Sequence, residues 1–173
     1  MRQLRYSVAV SLDGFIAGPN GESDWIITDP SFDFAALWNE FDTLLMGRRT
    51  FEVAIKRFPS LDAMGKKIVV VSTTLKQYPG ATILSDKISE AVAALKAESG
   101  PQPGKDIWLM GGGALFRTLL DAGLVDTVEL SVIPILLGSG TPLLPAGNRC
   151  PMRLEESSAL PNGTLRLYYS IAR

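Results

Sequence analysis

The chain has 173 residues, 46% hydrophobic and 20% charged, which suits one soluble domain with its own core. Its 17 Lys+Arg nearly cancel its 18 Asp+Glu, so neither nucleic acid nor an anionic membrane is an expected partner. With no histidine and one cysteine, Cys150, a His-based triad and an intramolecular disulfide are excluded and no metal site is expected.

The opening MRQLRYSVAVSLDGF lacks the apolar stretch of a signal peptide, and the run around Val132 to Leu137 is too short to span a bilayer. A cytoplasmic protein is expected. Leu4–Ser11 is rich in β-formers and reads as a first strand. Asp13-Gly14 and Gly18-Pro19-Asn20-Gly21 mark a loop. Asp29-Pro30-Ser31 offers a helix start with Pro30 or Ser31 near the cap, and Phe34, Leu37, Trp38 and Phe41 follow at helical spacing. Thr43–Met46 is a short buried strand ended by Gly47, and Arg48–Phe58 reads as a helix. Lys67–Ser72 is another buried strand, Thr82–Leu84 a brief one and Ile88–Ala97 a helix. Ser99–Lys105 is a surface loop within one domain. Asp106–Met110 is a strand that runs into Gly111, Gly112 and Gly113, with a helix over Ala114–Ala122. Thr127–Ile133 is a strand and Pro134–Pro145 a loop. Arg153–Ser158 and Thr164–Ala172 close the chain as antiparallel neighbours. Strands alternating with helices imply an α/β sheet with a parallel middle and helices on both faces.

Three strand ends carry chemistry. In IWLMGGGALFRTLL a buried strand meets three glycines and a helix start, which places free backbone N–H groups and the positive helix end at one spot. The spacing is not that of the dinucleotide fingerprint, and a tight turn that needs glycine for its dihedrals fits equally well. In LLMGRRTFE, Arg48, Arg49 and Thr50 sit at a helix start, where the dipole disfavours arginine unless an anion is present. Two solvated arginines are the plain alternative. Ser72-Thr73-Thr74 follows a third strand, and its hydroxyls suit a phosphate or a turn cap. Taken together, three such ends point to a dinucleotide with an extra phosphate, since ligands of open α/β sheets bind at the carboxyl ends of strands.

MGRRTFE and GGGALF resemble the two cofactor motifs of dihydrofolate reductase. The chain is closer still to the reductase domain of the bifunctional riboflavin-biosynthesis deaminase/reductase and its stand-alone relatives. SLDGFIAGPNGESDWI and GLVDTVELSVIPILLGSGTPLL resemble that domain's first strand and loop and its late strand and loop. The resemblance implies one domain with a mixed, mostly parallel sheet of about eight strands. It implies hydride transfer from NADPH to a carbon–nitrogen double bond or a ring-opened sugar imine, on a pterin- or aminopyrimidine-type substrate. By resemblance, Gly47, Arg48, Arg49 and Thr50 hold cofactor phosphates. Ser72 and Thr73, with Thr74 beside them, lie at the 2′-phosphate. Gly111, Gly112, Gly113, Ala114 and Leu115 cradle the pyrophosphate, and Ala9, Ile16 and Trp25 line the nicotinamide. Ser23 matches a substrate-contacting serine, and Ser131 sits where the family often has a hydroxyl. A homodimer is the family expectation.

The pattern also departs from the family. Met110 stands where a glutamate precedes the paired glycines. VAIKRFPSL lacks an acidic pair, and FDFAALWNEFD lacks the arginine that meets the substrate phosphate. Asp29 and Asp33 are the local candidates for the family's acid; Asp29 reads rather as a helix cap, and Asp33 is the candidate proton donor or else a solvated first-turn residue. Phe34, Trp38, Phe41 and Trp108 read as core. The leading activity is 5-amino-6-(5-phosphoribosylamino)uracil reductase. Dihydrofolate reductase, a catalytically inactive NADPH-binding module and a purely structural protein are the alternatives.

Overall fold

Short apolar runs such as VVV and LLM build strands that are covered on both faces and need no polar side. The computed structural model describes residues 1–57, 60–98, 101 and 105–172. The elements are β1 (Leu4–Ser11), β2 (Phe15–Ala17), α1 (Phe34–Asn39), β3 (Phe41–Gly47), α2 (Arg48–Arg57), β4 (Lys67–Val71) and β5 (Ala81–Leu84). They continue with α3 (Ile88–Ala97), β6 (Asp106–Leu109), α4 (Gly113–Asp121), β7 (Thr127–Ile133), β8 (Thr141–Pro142), β9 (Met152–Ala159) and β10 (Leu165–Ile171). The main sheet has the order β5-β4-β3-β6-β1-β7-β10-β9. It is parallel from β5 to β7 and antiparallel through β10 and β9.

Alternation along the strands sorts the core into two layers. Leu44, Met46, Ile68 and Val70 face α1 and α2, where Leu37, Phe51 and Ala54 meet them. Leu45, Val69, Ile107 and Leu109 face α3 and α4, where Val92, Leu95, Phe116 and Leu119 meet them. Charge pairs tie the amino-terminal end of the sheet. Arg2 pairs with Asp42, and the two side chains are only 6% and 1% exposed. Lys96 bonds to the Leu124 carbonyl and to Asp126, which in turn accepts the Leu4 N–H.

The carboxyl end is built differently. Pairing of β1 with β6 covers only Leu4–Tyr6 against Ile107–Leu109. From Ser7 to Ser11, β7 is the only strand that pairs with β1 among the described residues. The chain after β6 leans the other way, and the Met110 N–H donates to the Leu45 carbonyl at 2.9 Å. The sheet therefore parts between β1 and β6. Trp108 closes the base of the parting by donating its Nε1–H to the Ser7 carbonyl at 2.8 Å.

Several expectations are corrected. Phe41 does not continue the first helix. α1 ends at Asn39, the Glu40 carbonyl accepts the Asp106 N–H, and Phe41 enters the sheet as the first residue of β3. The cap of α1 is Asp33, not Pro30, Ser31 or Asp29; its carboxylate accepts the Ala36 N–H at 2.8 Å. Phe34 is not core. It is 53% exposed because a six-residue helix presents only Leu37 squarely to the sheet. Inside the two loops, β2 and β8 pair as a small antiparallel ribbon. Ser72 falls just past β4, α4 takes in Gly113, and β9 and β10 begin at Met152 and Leu165. The expected helix end at Phe58 and most of the 99–105 loop lie outside the described residues. Among the described residues, no helix is long and apolar enough to cross a membrane.

Candidate functional site

Three successive strand ends meet at the carboxyl edge. β3 runs into α2 without an intervening residue, so Gly47 is followed at once by the helical Arg48, Arg49 and Thr50. Gly47 pairs with Val71, which brings Arg48 and Ser72 out of the sheet side by side. Beyond β6, Gly111 and Gly112 take φ values of +98° and +91°, a region that penalises any Cβ. A Cβ on Gly112 would lie 3.8 Å from Thr50 Oγ1, so the two glycine-bearing turns adjoin.

Neither α2 nor α4 has an acidic residue in its first turn, and the α4 cap, Gly112, supplies no side chain. Their first N–H groups thus lack the usual side-chain acceptor. Arg48 pairs with Glu52 at 2.7 Å, whereas Arg49 is exposed and has no partner among the described residues. Ser72 is buried. Its hydroxyl accepts the N–H groups of Thr74 at 3.2 Å and Leu75 at 2.9 Å, which is the turn-cap role, while Thr73 and Thr74 are exposed beside it. Ala114 is exposed, but the Leu115 side chain is core, which leaves only its backbone at the turn.

Gly111 and Gly113 serve different ends. A Cβ at Gly111 would meet nothing within 4 Å, so the space over that turn is a cradle a side chain would narrow. A Cβ at Gly113 would lie 2.7 Å from the Pro142 carbonyl and 3.1 Å from that of Leu143. Gly113 is therefore where the β2–β8 ribbon, with Ile16, seats on α4. Gly113→Ala is expected to cost about 1–3 kcal/mol by overpacking. Thermal melting should show a fall of several degrees, about 2–4 °C per kcal/mol in a domain of this size. An unchanged melting temperature would mean that the ribbon moves aside freely.

Beside this edge lies a cleft of about 350 Å³, walled by Ser7, Val8 and Ala9 of β1, Trp108, Ser131 and the segment from Ile26 to Asp29. Thr164 and Arg166 supply its far wall, and Arg57 its rim. Arg57 donates to Ser23 Oγ at 2.6 Å, which holds that loop against the end of α2. Arg166 lies over the Phe32 ring at 4.1 Å. Trp25 is half-buried and bonds through its indole N–H to the Glu22 carbonyl.

Ala9 and Ser131 thus line the cleft, and Ser23 reaches it through Arg57. Ile16 and Trp25 lie in the neighbouring loops. Asp33 does not line the cleft; it is exposed, and its carboxylate is engaged as the α1 cap. The acid in the cleft wall is Asp29. Its carboxylate accepts the Ser31 hydroxyl at 2.6 Å, the Ser31 N–H at 2.9 Å and the Asn162 N–H at 2.9 Å. The Ser31 hydroxyl and then the backbone N–H groups hold Asp29 below the usual carboxylate range. Sequence reasoning weighed Asp29 for this acid but favoured a helix cap, and it missed Arg57, Thr164 and Arg166. The visible signal was a lone arginine in the apolar run of β10.

Known proteins share this architecture. The YyaP protein of Bacillus subtilis (strain 168) is 35% identical over 181 residues, covering 97% of this chain and 94% of its own. The crystal structure of a Shewanella sp. PV-4 protein assigned to riboflavin biosynthesis superposes with a TM-score of 0.82 at 25% identity, covering 100% of both chains. The diaminohydroxyphosphoribosylaminopyrimidine deaminase/5-amino-6-(5-phosphoribosylamino)uracil reductase of Thermotoga maritima superposes at 0.73 with 15% identity, covering 99% of this chain and 57% of that one. The family model of the RibD C-terminal domain matches residues 2–166. The two glycine turns, the parted sheet and the full-length match lead to one assignment: this chain belongs to the RibD C-terminal domain family.

Proposed function

We propose that this chain is an NADPH-dependent reductase of a small heterocycle, with 5-amino-6-(5-phosphoribosylamino)uracil reduction as its leading activity. One observation carries the reading. The turns at Gly47–Thr50 and Gly111–Gly113 adjoin, and both open beside a cleft walled by the freed edge of β1. Gly111 and Gly112 leave room for a pyrophosphate at the uncapped start of α4. Arg48 and Arg49, with Thr73 and Thr74 on the next strand end, would meet the 2′-phosphate. Ala9 would flank the nicotinamide where β1 and β6 part, with Ile16 and Trp25 in the covering loops. NADPH supplies the hydride, and the protein supplies placement and water exclusion.

The departures from the family acquire local substitutes. α1 brings no arginine, yet Arg57, steadied by Ser23, and Arg166 bring two cations to the cleft for the phosphate of the substrate. Asp33 is replaced as the acid of interest by Asp29. A carboxylate held low is an acceptor of substrate N–H groups and not a proton donor at neutral pH. The proton for the reduced atom then comes from water. A carboxylate at this place also keeps dihydrofolate reduction as a second reading.

Titration of the protein with NADPH and NADH, followed by NADPH oxidation with pterins and ribosylaminopyrimidines, tests the proposal. Tight NADPH binding, weaker NADH binding and turnover on one substrate class support it. Binding without turnover on either class would favour an inactive module, and no binding would remove the cofactor reading. We propose a homodimer as well. All eight residues of the edge strand β9 are exposed, and Met152, Leu154 and Leu165 leave apolar surface 45%, 49% and 40% exposed. Sedimentation equilibrium at micromolar protein should give twice the chain mass; a single chain mass would end that reading.

A further inference from the structure

The floor of the cleft carries two polar groups that the protein leaves unused. Leu4, Tyr6 and Val8 of β1 belong to the core layer under α3 and α4, so Arg5, Ser7 and Ala9 between them turn to the opposite face of the sheet. Arg5 meets Glu129 of β7 on that face at 2.6 Å, and Ser131, two residues further on, shares it. Ser131 stands opposite Ala9 on one side and opposite Arg166 on the other. As an opposed antiparallel pair, Ser131 and Arg166 have Cβ atoms about 4.5–5.5 Å apart. Both line the cleft. The Ser131 hydroxyl has no hydrogen-bond partner among the described residues and, unlike the Thr164 hydroxyl, is not sealed from solvent.

Arg166 is half-buried over the Phe32 ring, and none of its nitrogens is bonded among the described residues or sealed from solvent. The carboxylates around it are spent elsewhere. Glu129 is bonded to Arg5 and Thr127, Glu40 to Arg5, and Asp29 to Ser31 and Asn162. Burial lowers the Arg166 pKa, and Glu129, Glu156 and Glu40 oppose this only through space. A cation held partly out of water without a bonded anion gains most from an anion that arrives from outside. Arg166 also borders a wider hollow of about 510 Å³ beside the cleft, so a ring in the cleft can send a tail past it. We infer that Ser131 and Arg166, opposed on β7 and β10, form a two-point subsite for an oxyanion on the substrate's tail, a phosphate or a carboxylate. Ser131 supplies a neutral donor and Arg166 the charged fork. This inference rests on the reading of the cleft as the substrate pocket, and it seats the anion on the floor instead of at Arg57 on the rim.

The test compares the unaltered chain with Ser131→Ala, Ser131→Thr, Arg166→Met and Arg57→Met. Ribose 5-phosphate, 4-aminobenzoylglutamate and neutral ribose are titrated by calorimetry into free protein and into protein saturated with NADPH. Saturation displaces any probe that has settled at Arg48 or Gly111. At least one of the two anions should bind where ribose does not, and which one binds tells phosphate from carboxylate. Arg166→Met is expected to weaken that anion at least about tenfold and Ser131→Ala about fivefold. Ser131→Thr should bind nearly as the unaltered chain does, and Arg57→Met should lose less than about threefold, as befits an exposed rim charge. Arg166→Met keeps an apolar stem over Phe32; if it nevertheless fails to fold, the two Ser131 variants decide the matter. Three results would overturn the inference: no binding of either anion, binding indifferent to Ser131→Ala, and a loss carried by Arg57→Met in place of Arg166→Met. NADPH binding with indifferent anions removes the subsite alone. Anion binding that depends on both residues, in a protein that does not bind NADPH, keeps the subsite and removes the reductase reading.

Discussion

Replacing Arg48 and Arg49 together by alanine should raise the Kd for NADPH about a hundredfold and change that for NADH by less than about threefold. The reason is that two charge-assisted hydrogen bonds to a phosphate contribute roughly 1.5–3 kcal/mol each, part of which is shared with existing partners. Arg48 already has Glu52 at 2.7 Å, so Arg49→Ala alone should account for most of the loss. Both arginines sit in the first turn of α2, where the helix dipole repels a cation. The double variant should therefore be slightly more stable than the unaltered chain in the absence of nucleotide. Calorimetric titration with both cofactors reads the first effect and a denaturant curve the second. Equal losses for NADPH and NADH would move the arginines from the 2′-phosphate to the pyrophosphate.

The largest effect on stability is expected from Asp42→Ala. Asp42 is 1% exposed and pairs with Arg2, whose guanidinium also reaches Thr43 Oγ1 at 2.8 Å and the Lys105 carbonyl at 3.0 Å. Removing the carboxylate leaves a buried cation that is hydrogen-bonded only to neutral acceptors, with Asp106 and Glu98 acting on it without a direct bond, a change that costs about 3–5 kcal/mol. That is a large part of the roughly 5–15 kcal/mol by which such a domain is stable. Urea unfolding should show a lowered midpoint with an unchanged slope. Replacing both partners, Arg2→Met with Asp42→Leu, should restore most of the loss, because the penalty lies in the unpaired charge. A loss under about 1 kcal/mol for Asp42→Ala would mean that water reaches Arg2.

The middle of the sheet was readable from the chain because β3, β4 and β6 are short, largely apolar strands that end at or just before glycine or a hydroxyl. Gly47 and Gly111 to Gly113 stood out for the same reason, as did the paired arginines. What escaped was set by contacts between distant segments. Phe41 has helical spacing from Phe34 and Leu37, yet the Asp106 N–H on the Glu40 carbonyl draws it into β3. The ribbon of β2 and β8 is too short for periodicity to show. Asp29 looked like a cap, but Asn162, far along the chain, turns its carboxylate into the cleft wall. Arg166 and Thr164 read as ordinary strand residues until the closing hairpin is laid against the parted sheet. The candidate site is half local motif and half tertiary closure, and only the first half leaves a pattern in the sequence.

The place of β1 has a consequence for how the chain folds. This strand is synthesised first and lies in the middle of the finished sheet, but its partners at Ile107 and Thr127 emerge about a hundred residues later. Before they exist, β3, β4 and β5 can pair with one another and with α2, since those contacts are close in sequence. Closing long loops costs entropy before the contacts repay it, so insertion of β1 is expected to be the slow step of folding. Until then an apolar strand waits without neighbours on either edge. Such a strand is an aggregation hazard for a nascent chain.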